Sequence, residues 1–132
     1  MLRKFLTSKI HRATVTRCDL DYVGSVTIDA DLLEASGLRP NEAVWVLDLD
    51  NGHRFETYII RGDPGRGEIG INGAAAHLTA VGHRVIILAY GLLHPDEIEQ
   101  HIATSVIASP DNRVEQILRY PCTLDHLPPT DQ

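Results

Sequence analysis

The chain is 132 residues long, 43% hydrophobic and 23% charged, with a formal net charge of -6. That length supports one domain with an unaided core, and the composition speaks against a largely disordered chain. The acidic balance argues against nucleic acid as the main partner, and the longest apolar run, residues 85–90, is far too short to span a membrane.

The basic N-terminus lacks the continuous apolar stretch of a secretory signal, so a cytoplasmic protein with Cys18 and Cys122 as free thiols is expected. Charge is unevenly spread. Residues 1–24 hold Arg3, Lys4, Lys9, Arg12 and Arg17 against Asp19 and Asp21, a net of +3, which leaves -9 for the rest.

Residues 2–16, rich in Leu, Phe, Ile, Thr and Val with interleaved charges, predict a half-exposed strand. Val26 and Ile28 alternate with Ser25, Thr27 and Asp29 in a second, short strand. Asp29 or Asp31 can cap a brief helix over residues 32–35, which Gly37 and Pro40 end. Runs at 43–49 and 54–60 flank Asn51-Gly52, the preferred dipeptide of a tight type I′ turn, and predict a hairpin.

A Gly- and Pro-rich loop at 62–67 returns the chain into a strand at 68–71. Asn72-Gly73-Ala74-Ala75-Ala76-His77 is too small-sided for a core element. Residues 84–90 read as a buried strand, 95–101 as a short helix, 105–108 as a weaker strand and 121–132 as a frayed tail. Many short strands with one or two short helices predict a mostly β fold, a small and partly closed barrel.

The chemistry concentrates in Tyr22-Val23-Gly24-Ser25-Val26-Thr27-Ile28-Asp29. A serine hydroxyl that attacks the carbonyl on its own N-terminal side needs an adaptable backbone, and Gly24, without a Cβ, allows it. Three further blocks stand around this one in order. They are Leu6-x-x-Lys9-Ile10-His11-Arg12-Ala13-x-Val15-Thr16, Asn51-Gly52-x-Arg54-Phe55-x-Thr57-Tyr58, and Ile71-Asn72-Gly73-Ala74-Ala75-Ala76-His77. Together the four blocks, covering about residues 1–90, resemble the pyruvoyl-dependent aspartate decarboxylases, whose Gly–Ser bond is broken to make the active enzyme.

The resemblance implies a double-psi β-barrel over residues 1–132, self-cleaved at Gly24-Ser25 into 1–24 and 25–132. It implies decarboxylation of L-aspartate to β-alanine and CO2 for pantothenate and coenzyme A synthesis. The cofactor would be a pyruvoyl group made from Ser25, with no metal and no pyridoxal phosphate. Its carbonyl would condense with the substrate amine and take up the electrons that departing CO2 leaves behind.

In the same reading Tyr58 is the proton donor, and Arg54 and Lys9 bind substrate carboxylate, Arg54 through its bidentate fork. Thr57, Asn72, His11 and Tyr22 join Gly24 and Ser25 in processing, and Thr57, Gly73, Ala74 and Ala75 also line the substrate. Asn72 is read as a donor to the scissile or pyruvoyl carbonyl oxygen. Thr57 and Tyr58 face opposite ways on a regular strand, so a shared site implies a local bulge or twist. The resemblance further implies a homotetramer with active sites between subunits, and it leaves room for a processing helper protein.

Leu47 stands where some relatives carry a tryptophan, which alters one wall of the pocket, and residues 91–100 match the family poorly. The other histidines, His53, His77, His83, His94, His101 and His126, show no metal-ligand spacing and read as surface or turn residues. Two other readings compete. One is a barrel of the same fold that binds or regulates without processing, against which the retained Gly24, Ser25, Arg54, Tyr58 and Asn72 speak. The other is a pyruvoyl decarboxylase of another small acidic amino acid, because Arg54 and Lys9 specify a carboxylate without measuring side-chain length.

Overall fold

A computed structural model describes residues 1–125. In chain order it contains β1 (Arg3–Thr14), β2 (Arg17–Asp19), β3 (Ser25–Asp29), α1 (Ala30–Ser36), β4 (Ala43–Asp48) and β5 (Arg54–Gly62). There follow β6 (Ile69–Asn72), a 3-10 turn at Gly73–His77, β7 (Arg84–Leu93), a second 3-10 turn at Pro95–Gln100, β8 (Ile102–Ala108) and β9 (Val114–Pro121). Two of these strands lie beyond the sequence expectation. Three residues are too few to carry a pattern in β2, and β9 buries only Leu118, so its apolar period is invisible.

The nine strands form one sheet in the order β2-β6-β3-β5-β4-β7-β1-β8-β9. The pairs β1–β8, β2–β6 and β3–β5 are parallel, and the others are antiparallel. The chain leaving β1 bends the sheet upon itself. Val15 N donates to His83 O at 2.9 Å and Thr16 N to Ile69 O at 2.8 Å, so one run bridges from the β7 side to β6. The result is a small β-barrel, as the many short strands predict.

Its interior is filled by Ile10, Val26, Ile28, Val44, Val46, Ile59, Ile69, Ile71, Val85 and Ile87, all essentially inaccessible. Each such side chain contributes on the order of 2 kcal/mol by leaving water. β-Branched residues dominate because they suit a pleated surface.

Helix α1 begins two residues earlier and ends one later than the expected 32–35, and of the two candidate caps it uses Asp29. Asp29 caps it, accepting from Asp31 N at 2.8 Å, and Gly37 closes it at φ 79° with its N–H on Leu33 O. The same buried carboxylate also accepts from Gly65 N at 3.2 Å and Gly67 N at 2.6 Å, tying the loop before β6 to the end of β3.

The 43–60 hairpin forms, but its turn differs from the expected type I′. Only Gly52 has positive φ, whereas that turn needs it at both central residues. The Asp48 carboxylate captures the N–H groups of Asp50 and Asn51, and the Asn51 amide donates to Leu78 O at 2.9 Å, so the loop widens to residues 49–53.

No helix among the described residues is long and apolar enough to cross a membrane. Cys18 and Cys122 are both free and half-buried. Strand β9 carries the chain to Pro121, and of the expected tail residues 126–132 lie outside the described region.

Candidate active site

Strand β3 presents two chemically different faces. Val26 and Ile28 point into the core, so by the two-residue repeat Ser25 and Thr27 point outward. Both are nevertheless buried, Ser25 with 1% of its surface accessible. The antiparallel neighbour β6 puts Asn72 opposite Ser25.

The Asn72 amide joins the pair. Its Nδ2 donates to Ser25 Oγ at 2.9 Å and to Thr27 Oγ1 at 3.1 Å, and Ser25 Oγ donates to Val23 O at 3.1 Å. The amide thus serves the serine hydroxyl rather than a carbonyl oxygen. Its own Oδ1 accepts from Arg17 Nη2 at 3.3 Å.

Gly24 is exposed and has no left-handed φ, and a Cβ there would meet only Asn72 O, at 3.9 Å. The steric demand sits across from it. Gly73 is at φ 72°, and a Cβ on it would lie 2.6 Å from Gly24 Cα and 3.3 Å from Tyr22 O. A side chain at residue 73 would therefore expel the 22–24 loop.

On the other side of β3, the parallel ladder with β5 starts at Val26 opposite Ile59, which leaves Ser25 level with Tyr58. Tyr58, 36% exposed, lies on the outer face, as does Arg54 further along β5. Leu47 pairs with Arg54 and forms the neighbouring wall. The β4–β5 register runs through Thr57 and Tyr58 without a shift, so the expected bulge is absent. Thr57 shares the inward side with Phe55 and Ile59 and is half-buried.

Lys9 and His11 stand apart. They lie on β1, which β5, β4 and β7 separate from β3 in the sheet order. Desolvation lowers the pKa of Lys9. Desolvation, then the charges of Lys9 and Arg12, lowers that of His11, whose buried Nδ1 has no hydrogen-bond partner. Ala74 is exposed and Ala75 half-buried at the start of the 3-10 turn, while Tyr22 is exposed, its ring 5.8 Å from Arg17 Cζ. One chain therefore assembles Gly24, Ser25, Thr27, Asn72 and Gly73, with Tyr22 and Tyr58 at the edge.

The family model for aspartate decarboxylase matches residues 1–115. Three aspartate 1-decarboxylases are similar over nearly the whole chain. That of Caldicellulosiruptor saccharolyticus is 50% identical over 89% of this chain and 91% of its own. Those of Bacillus pumilus and Desulfotalea psychrophila are 49% and 46% identical, over 89% and 90% of this chain and 93% and 100% of theirs. The chain belongs to the aspartate decarboxylase family.

Around the Gly–Ser motif of this aspartate decarboxylase family member, the structure adds two side chains that the sequence reading does not single out. Thr27 lies inside the quoted motif, and its alternation with Val26 was a usable signal. Arg17 was visible only as one more basic residue, because its partners are Asn72 and Glu68, with Nη1 2.9 Å from Glu68 Oε2.

The structure also gathers Asp48, Asp50 and His83. Asp48 is buried and accepts from Thr79 Oγ1 and pairs with His83 Nδ1, both at 2.8 Å, besides its two backbone donors. Burial alone would raise the Asp48 pKa, but the hydrogen bonds from His83, Thr79, Asp50 and Asn51 outweigh it and lower it. The Asp48 contact raises that of His83. These interactions clasp the hairpin loop to the segment that leads into β7.

Proposed function

We propose that this chain decarboxylates L-aspartate to β-alanine in pantothenate synthesis, after cutting itself between Gly24 and Ser25 and converting Ser25 to a pyruvoyl group. Membership of the family supports the reaction. The observation that carries the cofactor is the buried Ser25 hydroxyl, held between Val23 O and the Asn72 amide. Val23 O accepts a hydrogen bond that aims the hydroxyl, the Asn72 donor stabilises Oγ as its proton leaves, and that proton ends on the freed Ser25 nitrogen.

Attack on the Gly24 carbonyl replaces the peptide C–N bond with an ester and frees the Ser25 nitrogen. Elimination across Cα–Cβ releases Gly24 as a C-terminal carboxylate, and hydrolysis then releases one ammonia. The products have 24 and 108 residues (132 minus 24). The surroundings fit the group, since Asn72 Nδ2 is within reach of an oxygen on residue 25 in a buried setting. When formed, the pyruvoyl carbonyl supplies the electron sink for loss of CO2.

The chain's own side chains do the rest. The Arg54 fork and the Lys9 ammonium hold the substrate carboxylates. Gly73, Ala74 and Ala75 are small enough for the substrate to approach their backbone. Tyr58, level with residue 25, delivers a proton to the carbon that has lost its carboxylate. Lys9 and His11 lie on β1, which does not pair with the Ser25 strand, and a homotetramer with each site completed by a neighbouring copy would bring them to it.

Intact mass under denaturing conditions tests this directly. Two fragments split after Gly24, the larger lighter by one ammonia than a serine-started chain, are the expected result. Ser25→Ala is expected to fold and remain one inactive chain of 14.6 kDa. Decarboxylation of L-aspartate by that variant would sink the mechanism. A wild-type chain that stays whole after prolonged warm incubation, with and without cell extract, would favour the non-processing barrel.

A further inference from the structure

Asn72 can present either side of its amide to the two hydroxyls beside it, and the choice decides whether the Ser25 oxygen receives a hydrogen bond or gives one. We infer that Arg17 makes that choice, as a positioning residue for self-cleavage that keeps the Asn72 NH2 group turned toward Ser25. The inference rests on the Ser25 reading above.

A guanidinium carries donors only, so it tolerates one orientation of a neighbouring amide, oxygen toward the arginine. That is the orientation seen. Arg17 Nη2 donates to Asn72 Oδ1 at 3.3 Å while Asn72 Nδ2 donates to Ser25 Oγ at 2.9 Å and Thr27 Oγ1 at 3.1 Å. Turned over, the amide would set NH2 against the guanidinium and an acceptor against Ser25. The hydroxyl would then donate to Oδ1, and its oxygen would lose the donor that stabilises it during attack. The cation on Oδ1 also polarises the amide, which strengthens the Nδ2 donor.

Arg17 is itself held in direction. Strand β2 runs parallel to β6 with Arg17 opposite Gly70, and the guanidinium lies across that glycine. A Cβ on Gly70 would sit 2.8 Å from Nη2, so the glycine leaves room for the guanidinium in this position. Nη1 pairs with Glu68 Oε2 at 2.9 Å, and the Tyr22 ring lies 5.8 Å from Cζ. Both partners of the ion pair are partly exposed, so the pair adds little stability and acts by aiming the fork.

The test follows cleavage of freshly purified precursor by intact mass at fixed temperature. Arg17→Ala is expected to cleave about tenfold more slowly, the size of one lost hydrogen bond to a charged group, with an unchanged melting temperature. Guanidinium at a non-denaturing concentration is expected to restore part of that rate, and Arg17→Lys to retain part of it. Glu68→Gln, which loosens the anchor alone, is expected to slow cleavage roughly twofold. Wild-type cleavage by Arg17→Ala overturns the inference, as does slow cleavage that guanidinium leaves unchanged while the melting temperature falls. A wild-type chain that never cleaves would instead sink the Ser25 reading, and this inference with it.

Discussion

At Gly73 a single hydrogen stands where any other residue would place carbon 2.6 Å from Gly24 Cα, in a φ of 72° that side chains resist. The Gly–Ser motif draws attention to Gly24, yet the residue that lets the 22–24 loop lie against β6 is on the other strand. Gly73→Ala is expected to cost about 3 kcal/mol from strain and overpacking together, and to abolish cleavage. Thermal melts and intact mass would check both, and a variant that melts and cleaves like wild type would remove the contact from the argument. Arg54 poses the opposite case, exposed on the outer face and without a partner that holds Ser25. Arg54→Ala is expected to leave cleavage intact and to raise KM for L-aspartate on the order of tenfold or more, the loss of a charge-assisted hydrogen bond. An unchanged KM would take Arg54 out of the carboxylate clamp.

Elements differ in how much of them a local pattern contains. Helix α1 was legible in its place and its end, though not in its exact bounds or the choice between Asp29 and Asp31, because caps act on their own neighbours. The β4–β5 hairpin was legible as a hairpin but not in its turn, since Asp48 and Asn51 bind groups outside the dipeptide. The clasp around Asp48 also makes this element pH-sensitive. His83 has a raised pKa, so its contribution is complete below the ordinary value of 6.5 and fades as pH rises through the raised value. Asp48 has a lowered pKa, so its contribution is complete above the ordinary value of 3.8 and is lost as pH falls through the lowered one. The clasp is thus fully formed between pH 3.8 and 6.5. Asp50 raises the His83 pKa further, Cys18 feels the Asp48 charge, and Arg84 adjoins His83 in the chain. Melting temperature is expected to decline above pH 6.5 in the wild type and to lose that decline in His83→Gln. Matching profiles would refute the linkage.

For the whole molecule, the decisive feature is that the serine site lies on the face of the sheet turned away from the core. Ser25, Thr27 and Asn72 are buried on that face with Tyr58 partly exposed at its edge, and Leu20, Tyr22 and Val23 are exposed apolar side chains of the neighbouring segment. Lys9 and His11 are on a strand that does not adjoin β3. If neighbouring copies complete each site, Lys9→Ala and Arg54→Ala chains are each impaired at subsaturating L-aspartate when alone but complement each other. Random assembly of an equal mixture would regain roughly a quarter of wild-type activity, because one pairing in four joins two unaltered faces. Co-expression followed by an L-aspartate assay measures this, and no recovery in mixed oligomers would argue for a site within one chain.

The amino-acid sequence by itself determined the mostly β class, the capped helix, the hairpin and the Gly24-Ser25 motif with its blocks. Each of these depends on periodicity or on residues close in the chain. Only the tertiary structure decided that Asn72 faces Ser25, that Arg17 reaches Asn72 across β6, and that Lys9 lies strands away from both. Such contacts join residues 47 and 55 positions apart through antiparallel and parallel pairings. A period of two tells which way a side chain points, but not which strand lies beside it.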